Sequence, residues 1–405
     1  MLWTAAFISN IGTWMETVGV GILVTAQTGD PGWTGLVAAA GFLPGGLLGP
    51  LGGVLADRLP RRLLLLTTTT IQVLLAALLT YLAATGTPSP ITVTLIVFAG
   101  GCAQAIGFPT YQTLLPDLVP PEDLVGAVAL SSAQWNLGRV IGPALAGIVI
   151  GLGGYALAFG LNAISFFTVI IVIILLRLPP PAHHGGVSMF ESFRQGVSYT
   201  KNDPALRIVV AYMVLNTFLA APFIALIPAM SQLVFDTGAG GTAALVTAQG
   251  IGAVAMGFAL ASLAARFGSG RVLFAVLWGL PPALFFYAIA PTIQVSFIAI
   301  LLVGFLYLGA LSSFMSIAQL RVPAALRGRV LSLLILVLGT LYPLGSVIQG
   351  QIADVIGLRA TTAGAAILML AILAIARIAY PRFTDELRAP PTAFHGEAAG
   401  VVEAP

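Results

Sequence analysis

Long apolar runs broken by short polar turns repeat along the whole chain. A membrane-spanning helix needs about 20 mostly apolar residues. Twelve runs meet that length, near 3–26, 33–55, 63–84, 91–111, 125–150, 155–176, 206–232, 242–265, 271–290, 293–317, 330–351 and 360–378. Most connections are tight turns, such as Gly29-Asp30-Pro31-Gly32 and Gly86-Thr87-Pro88-Ser89-Pro90. Only the internal stretch 178–205 keeps a polar character for longer. The pattern predicts an all-α integral membrane protein with twelve transmembrane helices in two six-helix bundles. The bundles cover 1–177 and 206–380, the linker 178–205, and a disordered tail 381–405.

The linker opens with Pro179-Pro180-Pro181 and His183-His184. Two adjacent histidines with no further ligand at metal spacing read as a solvated loop, and no metal site is expected. Beyond them Phe190, Phe193 and Val197 recur at helical spacing, with Glu191, Arg194 and Lys201 off that face. That arrangement predicts an interfacial helix on the membrane surface.

Composition agrees: 58% of residues are hydrophobic and 8% charged, against about 25% charged in ordinary soluble domains. The lone Cys102 lies inside an apolar run, which excludes a disulfide framework. No basic leader precedes the first run, which is long enough to span, so no cleavable signal peptide is expected.

Charge placement tests the span count. Of seventeen basic residues, fifteen fall in the turns after spans 2, 6, 8 and 10 or in the tail; Arg359 lies on the other side and Arg139 within span 5. The split predicts a cytoplasmic membrane protein with both termini cytoplasmic. It also accounts for the net charge of +3 without a nucleic-acid partner; the lipid bilayer is the partner implied.

The two halves echo one another. Val119-Pro120 is followed by Leu124, Gly126 and Val128; Val322-Pro323 is followed by Leu326, Gly328 and Val330. Each following span carries a glycine–proline cluster, Gly142-Pro143 in one and Pro343 with Gly345 in the other. The turn Gly53 to Arg62 has a worn copy at Ala265 to Arg271, with alanine where Asp57 stands. Such a six-plus-six repeat is how many secondary transporters are built.

At these residues the chain resembles the major facilitator superfamily. Gly53-x-x-x-Asp57-Arg58-x-Pro60-x-Arg62 is similar to the family signature between spans 2 and 3, with proline replacing the usual glycine. Gly138-x-x-x-Gly142-Pro143-x-x-x-Gly147 is close to the span 5 signature associated with exporters, its last glycine displaced by one. The stretches Asn136 to Pro143, Phe193 to Arg207 and Val322 to Val330 resemble the bacterial efflux branch of enterobactin exporters and macrolide-efflux-like proteins, the transmembrane secretion effector type. Span 4 lacks the arginine that many drug/proton antiporters place there.

The resemblance implies a monomeric exporter of small lipophilic or amphipathic compounds, such as a drug or siderophore. It would work by alternating access and draw on the proton gradient without a cofactor. An importer or uniporter of the same fold is the alternative. A membrane-embedded enzyme fits less well, because His183, His184 and His395 fall in the linker and tail and no span holds HExxH or paired carboxylates. An ATP-driven pump would need a phosphate-binding GxxxxGK[ST] loop, which this chain does not contain.

Chemistry within the membrane narrows to few residues. Glu16 and Arg139 are the two full charges deep in spans, at similar depth from the same face. An unpaired charge there costs at least roughly 2.5–3.5 kcal/mol, so a pair or a wet cavity is expected. A structural ion pair is the bland reading; the functional one makes Glu16 the proton carrier and Arg139 its electrostatic regulator. Ser9, Thr13, Thr17 and Asn136 lie near them, and Gln104, Asn216 and Gln249 are further amides within spans. With the aromatics Trp14, Trp135, Phe218, Tyr307 and Tyr342 they outline a substrate cavity of mixed polarity. Singly, each reads as well as a packing or interhelical hydrogen-bonding residue.

Gly138, Gly142, Pro143 and Gly147 are expected to allow close helix contact and bending. Gly52 and Gly53 are expected to admit a neighbouring helix closely. Asp57, with Arg58, Arg61 and Arg62, is expected to form a conformational latch capping the start of span 11 when the protein faces outward. The plain alternative is a solvated turn whose arginines only set topology.

Overall fold

The computed structural model describes residues 1–176 and 189–379, and the description below refers to these. His183, His184, Arg177 and the tail from 380 lie outside them, as does the side chain of Phe190. The described chain is almost wholly helical. Four long helices come first: α1 (Leu2–Thr28), α2 (Pro31–Arg58), α3 (Arg61–Thr85) and α4 (Pro90–Leu118). Next are α5 (Leu124–Leu175) and the linker helix α6 (Met189–Asn202). The remainder comprises α7 (Pro204–Leu215), α8 (Phe223–Ala229), α9 (Ala239–Phe267), α10 (Ser269–Ile289), α11 (Ile293–Arg321), α12 (Ala324–Ile356) and α13 (Leu358–Ala379).

Local chemistry sets several starts. Asp30-Pro31, Ser89-Pro90 and Asp203-Pro204 each place an oxygen acceptor before a proline whose missing N–H is no loss in the first turn. Asp30 accepts from Gly32 N at 2.7 Å and Trp33 N at 3.3 Å, Ser89 from Thr92 N at 3.2 Å, and Asp203 from Leu206 N at 3.0 Å. Gly29 ends α1 at φ 63°, a left-handed cap that a residue without Cβ adopts freely.

Helix α5 contains two crossings. Its backbone leaves helical geometry at Gly153 and at Gly154, which has φ 70°. Contacts with α1 prove the reversal. The Cβ position of Gly19 meets both Phe159 (3.2 Å) and Ile150 (3.6 Å); Trp14 meets Gly142, and Gly12 meets Asn162. The first arm runs parallel to α1 and the second returns beside it. Eleven helices of spanning length and apolarity therefore make twelve crossings.

The seventh crossing is irregular. It runs through α7, a π-helical turn Asn216–Ala220, α8 and a second π turn Met230–Val234. Pro222 has no N–H to give the carbonyl four residues back. Gln349 of α12 fills the gap, its Nε2 donating at 3.0 Å to both Phe218 O and Leu219 O.

Helices α1 to α5 pack on one another, as do α7 to α13, and the two groups meet through α2 against α12 and the first arm of α5 against α9. The linker helix lies on α12, with Gly196 against the Arg329 backbone and Arg329 donating to Gln195. Its buried positions are Gly196, Tyr199 and Thr200, while Phe193 is exposed, so the face that docks is not the apolar one read from spacing. Glycine, which lets two backbones touch, outweighs phenylalanine at this contact. Exposed Phe258, Ile298 and Ile378 turn outward from the helices, as a lipid-facing surface requires.

Candidate functional site

The site lies at the middle of the two-bundle interface. Arg139, on the first arm of α5, donates from Nη2 to Gln249 Oε1 of α9 at 3.1 Å, a bond from one bundle to the other. Its guanidinium carbon sits 5.8 Å above the Trp14 ring centre. Tyr307 of α11 and Tyr342 of α12 are close enough to interact electrostatically with it. Tyr342 packs edge-on against Phe42 at 5.2 Å, and Tyr307 against Phe223 at 5.8 Å. Trp14 and Trp135 stand 6.2 Å apart, and Phe108 extends this aromatic wall at 5.6 Å from Trp135.

Glu16 belongs to a different cluster. Its Oε2 accepts from Asn162 Nδ2 at 2.7 Å, and Ser165 donates to Asn162 Oδ1 at 3.1 Å. Among the described residues neither Glu16 nor Arg139 forms an ion pair. The two share a depth, since Trp14 beside Arg139 is two residues from Glu16, but not a neighbour. Asn162 was missed from the sequence; its signal was an amide in the middle of an apolar run.

The other cavity candidates separate likewise. Thr13 and Thr17 donate back to Ser9 O and Thr13 O of their own helix, at 3.0 and 2.8 Å. Asn136 donates to Ser132 O at 2.8 Å. Gln104 accepts from Gln72 at 2.7 Å, between α3 and α4. Asn216 is fully buried in the first π turn, with neither amide atom hydrogen-bonded. Gln249, Tyr307 and Tyr342 are thus the candidates brought together with Arg139.

The glycine–proline motif of α5 works by close approach. Gly138 faces Asn10, Gly142 would place a Cβ 2.6 Å from Trp14 Cβ, and Gly147 one 2.6 Å from Ala243 Cβ across the interface. At Pro143 the helix continues; the break lies at Gly153 and Gly154 instead.

The two membrane faces differ. Away from the basic loops the bundles make close contacts. Gly35 sits on Ser346 O and Gly350 on Pro31, while Gln232 donates to Ile22 O at 3.2 Å; Gly46 meets Gly339 midway along α2 and α12. At that face Gly32 N donates to Asp30 of its own bundle at 2.7 Å and to Asp354 of the other at 3.0 Å. On the basic face, Gly49, Gly53, Gly126 and Gly328 have nothing within 4 Å of a built Cβ. This corrects the expectation for Gly53; Gly52, its neighbour, makes the close approach, against Ala105 O.

Asp57 and Arg58 are exposed and have no hydrogen bond or ion pair among the described residues. Arg61 pairs with Asp117, and Arg62 donates to Ile174 O at 2.7 Å, so both bind within their own bundle. Also near this face, Arg321 Nε reaches both oxygens of Asp203 at 2.8 Å, a buried pair tying α11 to the start of α7.

A staphyloferrin A transporter of Staphylococcus aureus is 24% identical over 359 residues, 88% of this chain and 89% of its own. An enterobactin exporter of Salmonella paratyphi A is 31% identical over 166 residues, 40% of this chain and 39% of its own. The inward-facing, occupied structure of a bacterial homolog of the human lysosomal transporter Spinster superposes with TM-score 0.74 at 16% identity, covering 96% of this chain and 98% of that one. The family model described as transmembrane secretion effector matches residues 1–402. The chain belongs to that family, the transmembrane secretion effectors of the major facilitator superfamily, and is a membrane transporter rather than an enzyme.

Proposed function

We propose that the protein is a proton-coupled exporter of small amphipathic compounds that works by alternating access. The basic face is taken as cytoplasmic, so the structure corresponds to the state open inward. One observation carries the reading: both bundles contribute to a central site, and toward the face away from the basic loops they press backbone against backbone. Rocking about that site would expose it to either side in turn. The name of the enterobactin relative, an exporter, and the glycine–proline motif of α5 support outward transport. Glu16 carries the proton, as an intramembrane carboxyl whose bonded partner is a neutral amide.

The experiment is transport into inverted vesicles with a proton-sensitive dye and a panel of siderophores and macrolides. Glu16→Gln keeps the shape and removes the exchangeable proton. Substrate binding should survive in that variant while pH-driven transport is lost. Proton movement that persists unchanged would remove Glu16 from the mechanism.

A further inference from the structure

The surroundings of Arg139 are rich in hydrogen-bond donors and poor in negative charge. No carboxylate pairs with this guanidinium among the described residues; the deep carboxylate, Glu16, is occupied by Asn162. Its protein acceptor is the Gln249 side-chain oxygen. That bond fixes the amide orientation, since a flipped amide would turn N–H toward N–H. The Gln249 Nε2 is thereby directed elsewhere, and it is buried with no partner on a side chain 1% exposed. Trp14 Nε1, on the ring beneath the guanidinium, is likewise buried and unpartnered. An indole nitrogen can only donate. A cation and two side chains with orphan donors therefore lie side by side, among aromatic residues from both bundles.

Leaving such groups unmatched is costly in a low-dielectric interior. Their complement is an acceptor-rich group of negative charge. A guanidinium favours planar oxyanions, which it can grip through two parallel N–H bonds. Trp14, Trp135, Phe42, Tyr307 and Tyr342 offer flat apolar surface beside it. We infer that the transported compound is an organic anion, a carboxylate or similar oxyanion on an aromatic body, anchored by Arg139 with Trp14 and Gln249. This names the substrate class of the site under the transport reading above and rests on it.

The anchor also links binding to movement. Arg139 and Trp14 belong to one bundle, Gln249, Tyr307 and Tyr342 to the other. An anion held by both satisfies donors that no single bundle can satisfy alone.

The test is equilibrium binding to the purified full chain in detergent, using 1-naphthoate, its neutral analogue 1-naphthamide and its cationic analogue 1-naphthylmethylamine. Naphthoate should bind at least tenfold tighter than either analogue and raise the wild-type melting temperature, which they should not. Arg139→Gln should abolish the preference for naphthoate over naphthamide; Arg139→Lys should restore part of it. Gln249→Leu should weaken naphthoate binding about fivefold to tenfold. If Arg139→Gln fails to fold, the wild-type comparison and Gln249→Leu decide alone. Equal binding of anion and neutral analogue, or a preference for the cation, overturns the inference. Vesicle transport separates it from the broader reading. Anion-selective binding without export would leave the anchor standing and the exporter fallen; export of cations, unchanged in Arg139→Gln, would do the reverse.

Discussion

Toward the face away from the basic loops, Gly35 of α2 lies directly on the Ser346 backbone of α12, and midway along the two helices Gly46 lies on Gly339. Further along the same two helices, Gly49, Gly53 and Gly328 have open space beside them. One pair of helices is thus pressed together from one end to its middle, while the glycines nearer the basic face make no such contact. Glycine is present at both ends, so composition does not make the difference. The sealed end is held by backbone contact and by Asp354 on Gly32 N. The other end carries charges whose side chains are either bound within their own bundle, as those of Arg61 and Arg62 are, or without a partner among the described residues, as is that of Asp57. Under the proposed alternating access, contacts that cross between bundles belong to one state, while contacts within a bundle persist in both.

The largest effect should come from the persistent kind. The Asp203–Arg321 pair is buried, with side chains 1% and 8% exposed. Removing one partner of such a pair leaves a charge unmatched, at a cost of about 3–5 kcal/mol. Arg321→Met should therefore lower the melting temperature and expression sharply. A stable, transport-competent Arg321→Met protein would break the distinction between internal ties and state-specific ones.

Adjacent glycines give a sharper test. A Cβ on Gly46 would fall 2.5 Å from the Gly339 carbonyl carbon, against backbone that cannot swing aside; on Gly45 it would meet nothing within 4 Å. Gly46→Ala should weaken the seal by about 1–3 kcal/mol through overpacking. Gly45→Ala should be neutral or stabilise by about 0.5–1 kcal/mol, through helix propensity alone. Cysteine accessibility on the sealed face reads both. Equal behaviour of the two variants would show that the seal does not depend on this contact.

Asp57→Asn should act more gently. The side chain has no partner here, so the stability of this state should not change. In the opposite state the carboxylate is proposed to cap α12, worth about 0.3–1 kcal/mol and up to ~2 when partly buried. Transport should slow strongly with folding intact, because that is enough to shift a balance between two states. Wild-type transport in Asp57→Asn would leave the turn as a topology signal only.

Much of this was legible in the sequence, and the rest failed for identifiable reasons. Span length and arginine placement gave the helices, because bilayer thickness imposes a length and every backbone group must be satisfied internally. Counting rise along the helix placed Glu16 and Arg139 at a common depth. Direction around the helix was the missing coordinate. Trp14 and Glu16 are two residues apart, so they point about 200° apart; Trp14 faces Arg139, and Glu16 faces Asn162. The rescue of the seventh crossing's carbonyls by Gln349, 130 residues further on, has no local signal. Asp354 lies just past an apolar run and reads as a turn residue until α12 is set beside α2.

The most direct measurement of alternating closure uses spin-label distances in a background with Cys102 replaced by serine. One pair, at Arg58 and Ala325, spans the open face; the other, at Ser89 and Thr292, spans the sealed face. Gly35→Leu wedges the seal, since even a Cβ there would collide with Ser346 O. The account predicts that Gly35→Leu lengthens the Ser89–Thr292 distance and shortens the Arg58–Ala325 distance together. Opening of the sealed face with no closure of the other, or no change at either, would contradict it.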